Sequence, residues 1–274
     1  MIEVMLSVLF AVFIWWFSTG LVLVLDGLPK QTFRWSILIS SLLAAGAFAG
    51  LAHTAGQSST VGAYCSFSCA LLVWGWHELT FLTGWLTGPR KQPSPPDSDG
   101  WARFFQAVGA IVWHELAILA SGLLIIALTW GAPNQVGAWT FSVLWVMRTS
   151  AKLNLFLGVR NLSEEFLPAH LAYMESFFRR RAMNLLFPFS LVGACAVLAL
   201  VVMRAVEPGL PEGQVVGWML VASLLFLAIV EHLLLVLPLP STALWRWALR
   251  QRASTSPQPA AAKAPTNEDL VHVP

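Results

Sequence analysis

The chain has 274 residues and a formal net charge of +2; 57% of its residues are hydrophobic and only 11% are charged. An ordinary soluble domain is about a quarter charged, so this composition, with a mean hydropathy of +0.69, excludes a water-soluble globular enzyme. It also provides no basic surface for nucleic acid. It predicts an all-α, polytopic integral membrane protein, because a chain in lipid must satisfy its backbone polar groups internally.

A helix needs about 20 apolar residues to cross a hydrocarbon core of roughly 30 Å. About seven runs have that length: 4–25, 35–54, 61–86, 104–130, 135–158, 184–204 and 215–238. The first lacks a basic leading segment and is flanked by Glu3 and Lys30, which predicts a retained helix inserted N-out rather than a cleaved signal. Its small residues Ser18, Thr19 and Gly20 suit close helix packing. The third run carries Cys65 and Cys69, four apart, and the sixth carries Cys195; inside a membrane these read as packing residues rather than a disulfide or metal clip. Residues 89–100, PRKQPSPPDSDG, predict an extended solvent-facing connector. The fifth run is the least apolar, because it contains Arg148, Lys152 and Asn154.

After that run, Asn161 and Ser163 suit a helix N-terminus, Glu164 and Glu165 a first turn, and Phe166, Leu167, Leu171, Met174, Phe177 and Phe178 an apolar stripe. Arg179, Arg180 and Arg181 follow as a phospholipid-facing anchor. The pattern predicts an amphipathic helix over 163–179 on the cytoplasmic interface, bent near Pro168. Residues 1–240 thus read as a transmembrane bundle, and 241–274, rich in Pro and poor in large apolar residues, as a largely disordered cytoplasmic tail.

Orientation follows from the basic residues. Arg148 and Lys152 lie within the fifth run and Arg204 is on one side; every other Lys and Arg falls in the connections after runs one, three and five or in the tail. The positive-inside rule then puts those connections and the C-terminus in the cytoplasm and the N-terminus outside. Many tryptophans near run ends, among them Trp35, Trp101, Trp130, Trp139, Trp245 and Trp247, suit an aromatic belt.

Ionisable residues inside the runs mark the candidate site. His77 and Glu78, His114 and Glu115, Arg148 and Lys152, and Glu231 and His232 all fall within otherwise apolar sequence. At about 1.5 Å per residue, Glu78, Glu115, Arg148, Lys152 and Glu231 lie roughly 10–16 Å from the cytoplasmic ends, in one layer. Intramembrane charges cost a few kcal/mol each and normally face a bundle interior. Glu164, Glu165 and His170 of the interfacial segment lie just below.

Three readings of this layer stay open. Glu78, His114, Glu115, Glu231 and His232 are candidate metal ligands, although adjacent His and Glu project about 100° apart and so do not form the Glu-x-x-His pattern of di-iron bundles. The histidines could ligate a flat magnesium tetrapyrrole between Trp74, Trp76, Trp113 and Trp145. Otherwise Arg148 and Lys152 neutralise the three glutamates and lock the bundle. HELTF at 77–81 and HELAI at 114–118 lack the second histidine of a zinc protease, and no phosphate loop, catalytic triad or transporter-like repeat occurs.

The segments WWFSTGLVLVLDGLP at 15–29, LLVWGWHELTFLTGWLTGP at 71–89, VWHELAILASG at 112–122, LTWGAPNQVGAWTF at 128–141 and LWVMRTSAKLNLFLGVRNLSEEFLPAHLAYMESFFRRR at 144–181 resemble the PuhE family, photosynthetic complex assembly proteins of anoxygenic phototrophs. The resemblance is collinear from about residue 10 to 205. It implies a role in assembling reaction-centre and light-harvesting complexes or in supplying their bacteriochlorophyll, with the subunits of those complexes or other assembly factors as partners. It carries no catalytic residues across. An enzyme of tetrapyrrole or pigment metabolism using the Glu/His layer is the alternative.

Overall fold

A computed structural model describes residues 2–162, 164–238 and 241–249. Among them seven long helices occur: α1 (Ile2–Asp26), α2 (Phe33–Thr54), α3 (Thr60–Leu82), α4 (Gly100–Thr129), α5 (Val136–Leu157), α6 (Leu186–Ala205) and α7 (Glu212–Leu234). Short 3-10 turns cover Lys30–Thr32, Glu164–Phe166, Ala169–Phe177 and Ser241–Trp245. The disordered tail and the Ser163 cap expected from sequence lie outside the described residues, the tail from residue 250 onward.

α1, α4, α6, α7 and the stretch Lys30–Thr54 are long and apolar enough to cross a membrane. Their outer faces explain why: Phe13, Leu42, Leu123, Phe189 and Leu200 are among many exposed apolar side chains that only hydrocarbon or a partner would cover. α3 and α5 fall outside that class. α3 is the axis of the bundle, packed against α1, α2, α4, α5 and α7, with most of its residues buried. A helix shielded by its neighbours does not need a lipid-facing composition, so Ser66, His77 and Thr80 are accommodated inside it.

α3 ends at Leu82 rather than at the expected 86, where Gly84 adopts φ +77°, a left-handed conformation suited to glycine. The chain then runs against the flank of α4. The Arg90 N–H donates to the Gly109 carbonyl (3.1 Å), and the His114 N–H donates to the Thr87 carbonyl (3.0 Å). Gly88 permits this approach, since a Cβ there would lie 2.2 Å from the Gly109 carbonyl oxygen. The connector 89–100 is exposed for most of its length yet tied down: Ser94 N–H donates to Ser176 Oγ (2.8 Å), and Ser94 Oγ donates to Gln106 Oε1 (3.1 Å).

The segment expected as an amphipathic α-helix over 163–179 is instead two 3-10 turns separated by Pro168. Pro168 cannot donate a backbone hydrogen bond, and i→i+3 bonds such as Leu167 N–H to Glu164 O and Leu171 N–H to Pro168 O hold the turns. The apolar stripe still buries: Leu171 and Met174 pack with Phe81 and Leu82 at the end of α3. Arg103, expected in a basic loop, is buried in the first turn of α4. It donates to the carbonyls of Phe177 (2.5 Å) and Phe156 (3.4 Å) and lies 4.5 Å over the Phe156 ring.

Trp245 and Trp247, expected as belt residues, fold back onto α1. The indoles of Trp16 and Trp245 donate to the carbonyls of Leu244 and Trp16, and Gly20 accommodates the Trp247 ring. At Gly20 the missing side chain thus admits an indole.

Candidate functional site

Each His-Glu pair divides in the same way, as residues 100° apart on a helix must. On α3, Glu78 turns to α5 and accepts from Arg148 (3.0 Å), while the His77 ring, fully buried, meets Ser121 Oγ of α4 through Nε2 (2.9 Å). On α4, Glu115 accepts from Lys152 of α5 (2.5 Å), while His114 is buried against the Phe81 ring, 4.5 Å between centroids. On α7, His232 turns inward, with Nε2 3.0 Å from Ser150 Oγ and Nδ1 3.0 Å from its own Ala228 carbonyl. Glu231 lies on the outer surface of α7, with the Trp15 indole as its side-chain hydrogen-bonding neighbour and Arg148 and Glu78 as its charged neighbours.

The fifth helix therefore supplies both cations, and its one-turn spacing sends Arg148 to α3 and Lys152 to α4. Glu78 and Glu115 each hold one of the two bases as an ion pair. Such pairs hold because removing one partner strands the other in a low dielectric.

A neutral network that sequence reading missed extends the layer. Asn154 Nδ2 donates to the Ser150 carbonyl (2.9 Å), and Asn184 Nδ2 donates to Asn154 Oδ1 (3.0 Å) and to the carbonyls of Asn154 and Gly158. Asn184 Oδ1 accepts from the N–H groups of Leu186 and Phe187 and so starts α6. The signal was present only as lowered hydropathy: Asn154 weakened the fifth run without revealing its partner. At the opposite end, the buried Asn134 donates to the carbonyls of Thr54 and Gly62 and joins α2 to α3.

The interfacial residues scatter. Glu164 pairs with Arg180 (3.1 Å). His170 donates through Nε2 to the Leu82 carbonyl (2.8 Å), one of the last carbonyls of α3 that lack an intrahelical partner. Glu165 is exposed. Neither the Glu164–Arg180 pair nor the His170–Leu82 hydrogen bond involves a residue of the polar layer.

The metal candidates do not converge: among the described residues no three His, Cys, Asp or Glu side chains group around a point. Glu78 and Glu115 are each held by a cation, and Glu231 and His232 face opposite ways. The expected tetrapyrrole walls do not enclose one slot either. Trp113 is 52% exposed, Trp74 packs in the core on Phe141, and Trp76 donates to Ser41 and lies against His77. The His77 and His114 rings stand edge to face, 6.2 Å apart, and His77 Nε2 is taken up by Ser121 Oγ. What remains polar and unengaged is Nδ1 of His77 and of His114, both buried without a hydrogen-bond partner.

These features define a helical membrane protein whose bundle is tied together by ion pairs from one helix to two others. The chain belongs to the family described as protein of unknown function (DUF3623), which matches residues 1–256. It is 37% identical over 270 residues to a Rhodobacter capsulatus protein described as an uncharacterized 30.4 kDa protein in the puhA 5′ region, covering 96% of this chain and 98% of that one. No solved structure matches.

Proposed function

We propose that this protein is an integral-membrane factor, of the PuhE type, for assembling photosynthetic reaction-centre and light-harvesting complexes or supplying them with bacteriochlorophyll. The observation that carries the reading is the relative's position beside puhA, in a photosynthesis gene cluster, combined with near-complete coverage of both chains. The layer supports it from the physical side. Ion pairs that tie α5 to α3 and α4 favour a rigid scaffold, and the exposed apolar faces of α1, α4 and α6 supply surface for lipid or for apolar subunits. The pigment is then cargo or partner rather than a resident group. The bundle spans the inner or intracytoplasmic membrane with seven helices, N-out and C-in, and the basic connections face the cytoplasm.

A membrane enzyme of tetrapyrrole or pigment metabolism is the second reading, favoured by the unpartnered Nδ1 atoms of His77 and His114. Deleting the gene in a phototroph and recording whole-cell and pigment-extract absorption separates the two. An assembly factor lowers the bands of the assembled complexes while extracted pigment keeps its normal chemical identity. Accumulation of a chemically altered pigment or precursor would overturn assembly in favour of catalysis.

A further inference from the structure

The early stop of α3 leaves a depression at the end of the bundle that carries most of the basic residues. The turn Ala169–Phe177 covers it, and a cavity of about 290 Å³ remains. Thr83 and Thr87 line it from the end of α3, His170 and Tyr173 from the turn, and Lys30 and Lys91 from the two neighbouring connections. A more open groove of about 580 Å³ shares Lys30, Phe33 and Thr83 with it and continues past Arg34 and Trp85.

Charge singles this place out. No acidic residue lines the cavity or the groove. Among the described residues, Arg148, Lys152, Arg179, Arg180 and Arg204 each have a carboxylate partner; Lys30, Arg34 and Lys91 form no ion pair, nor do Arg90, Arg103, Arg160, Arg181 and Arg246, which line neither the cavity nor the groove. Lys30 and Lys91, from separate connections, thus meet around the cavity, and Arg34, in the first turn of α2, lines the adjoining groove and lies 5.4 Å over the Trp35 ring. The Tyr173 hydroxyl is buried there with no aligned hydrogen-bond partner. Burial raises its pKa above the ordinary phenol value, with Thr87 pulling weakly the other way, so it stays protonated and able to donate. The exposed Trp85 and the apolar Phe33 beside these donors give the aromatic and polar mixture of a membrane interface.

We infer that this cavity binds a phosphate oxyanion, presented by the head of an acidic phospholipid whose chains lie along the apolar groove side. Ammonium groups act as point charges for phosphate, and basic pockets beside transmembrane helices suit acidic head groups. The Tyr173 hydroxyl adds a neutral donor from within. The inference is independent of any role in photosynthesis.

The test uses the full chain in nanodiscs of phosphatidylcholine with or without phosphatidylglycerol, with lipids retained after ejection counted by native mass spectrometry. One phosphatidylglycerol per chain should survive. Lys30→Met combined with Lys91→Met should lower its retention on the order of tenfold, as loss of two close charge contacts implies. Tyr173→Phe should lower retention several-fold with an unchanged melting temperature, which separates binding from folding. Arg160→Gln, at the same end but away from the cavity, should have no effect. Displacement of the lipid by millimolar inorganic phosphate would keep the oxyanion site but make soluble phosphate its occupant. Equal retention of both lipids, or an equal loss in Arg160→Gln, would overturn the inference.

Discussion

At the scale of single residues, the pairing of Glu115 with Lys152 and of Glu78 with Arg148 makes a specific claim, since each cation on α5 has its own acid. Glu115→Gln strands the Lys152 ammonium in a medium that solvates it poorly, and the purified protein should melt at a lower temperature. Adding Lys152→Met removes the stranded charge and should recover part of the loss, with a coupling of about 0.5–3 kcal/mol in the double-mutant cycle. Pairing Glu115→Gln with Arg148→Met should give nearly additive effects. If both cycles are additive, the two residues do not meet in the membrane. Where these residues fall along their helices was legible from the chain, because rise per residue depends on the helix alone. Which acid met which base was not, because helix rotation is set by packing, and this sent Glu231 towards Trp15 at the outer surface rather than inward.

At the scale of elements, the informative piece is the connection after α3. Its backbone bonds to α4 at Gly109 and His114, about 14 and 21 Å along α4 from Gly100 at 1.5 Å per residue, need the close approach that Gly88 allows. Gly88→Ala places a methyl group against backbone rather than against a movable side chain. It should destabilise the protein on the order of 3 kcal/mol and release the connector, which limited proteolysis between 89 and 100 would detect as faster cleavage. Cleavage and melting like those of the parent protein would show that the connector does not dock there. The turns of 164–177 teach a related lesson. Their apolar stripe was readable and does bury, but Pro168 and docking against Phe81 and Leu82 select i→i+3 turns over a free amphipathic helix. The stripe reported which side chains would be buried, not the hydrogen-bonding period of the backbone.

At the scale of the whole molecule, alternation of the helices brings Lys30, Arg90, Arg160 and Arg179 to one end, while Arg204 lies at the other, at the end of α6. With that end cytoplasmic, alkaline phosphatase fused after residue 131 should be active, and fusions after 95 or 255 should be inactive. Activity at 95 would invert the bundle, and activity at 255 would remove a span. The prediction also covers α3 and α5, whose composition alone does not qualify them as spans. Positions 131 and 255 lie on opposite sides only if α5 crosses with α6 and α7, and an outside N-terminus stays opposite 95 only if α3 crosses with α1 and α2.

The sequence by itself determined that this is a helical membrane protein and where its charges fall along each helix, since composition and helical rise require no knowledge of neighbours. Tertiary structure decided what those charges do. Putting α3 at the centre let a helix too polar for lipid carry His77 and Glu78, and turning α5 towards α3 and α4 converted a set of candidate ligands into two ion pairs. Stopping α3 early opened a basic cavity beside it. Each outcome depends on which faces meet, and that follows from the fit of side chains between helices distant in sequence.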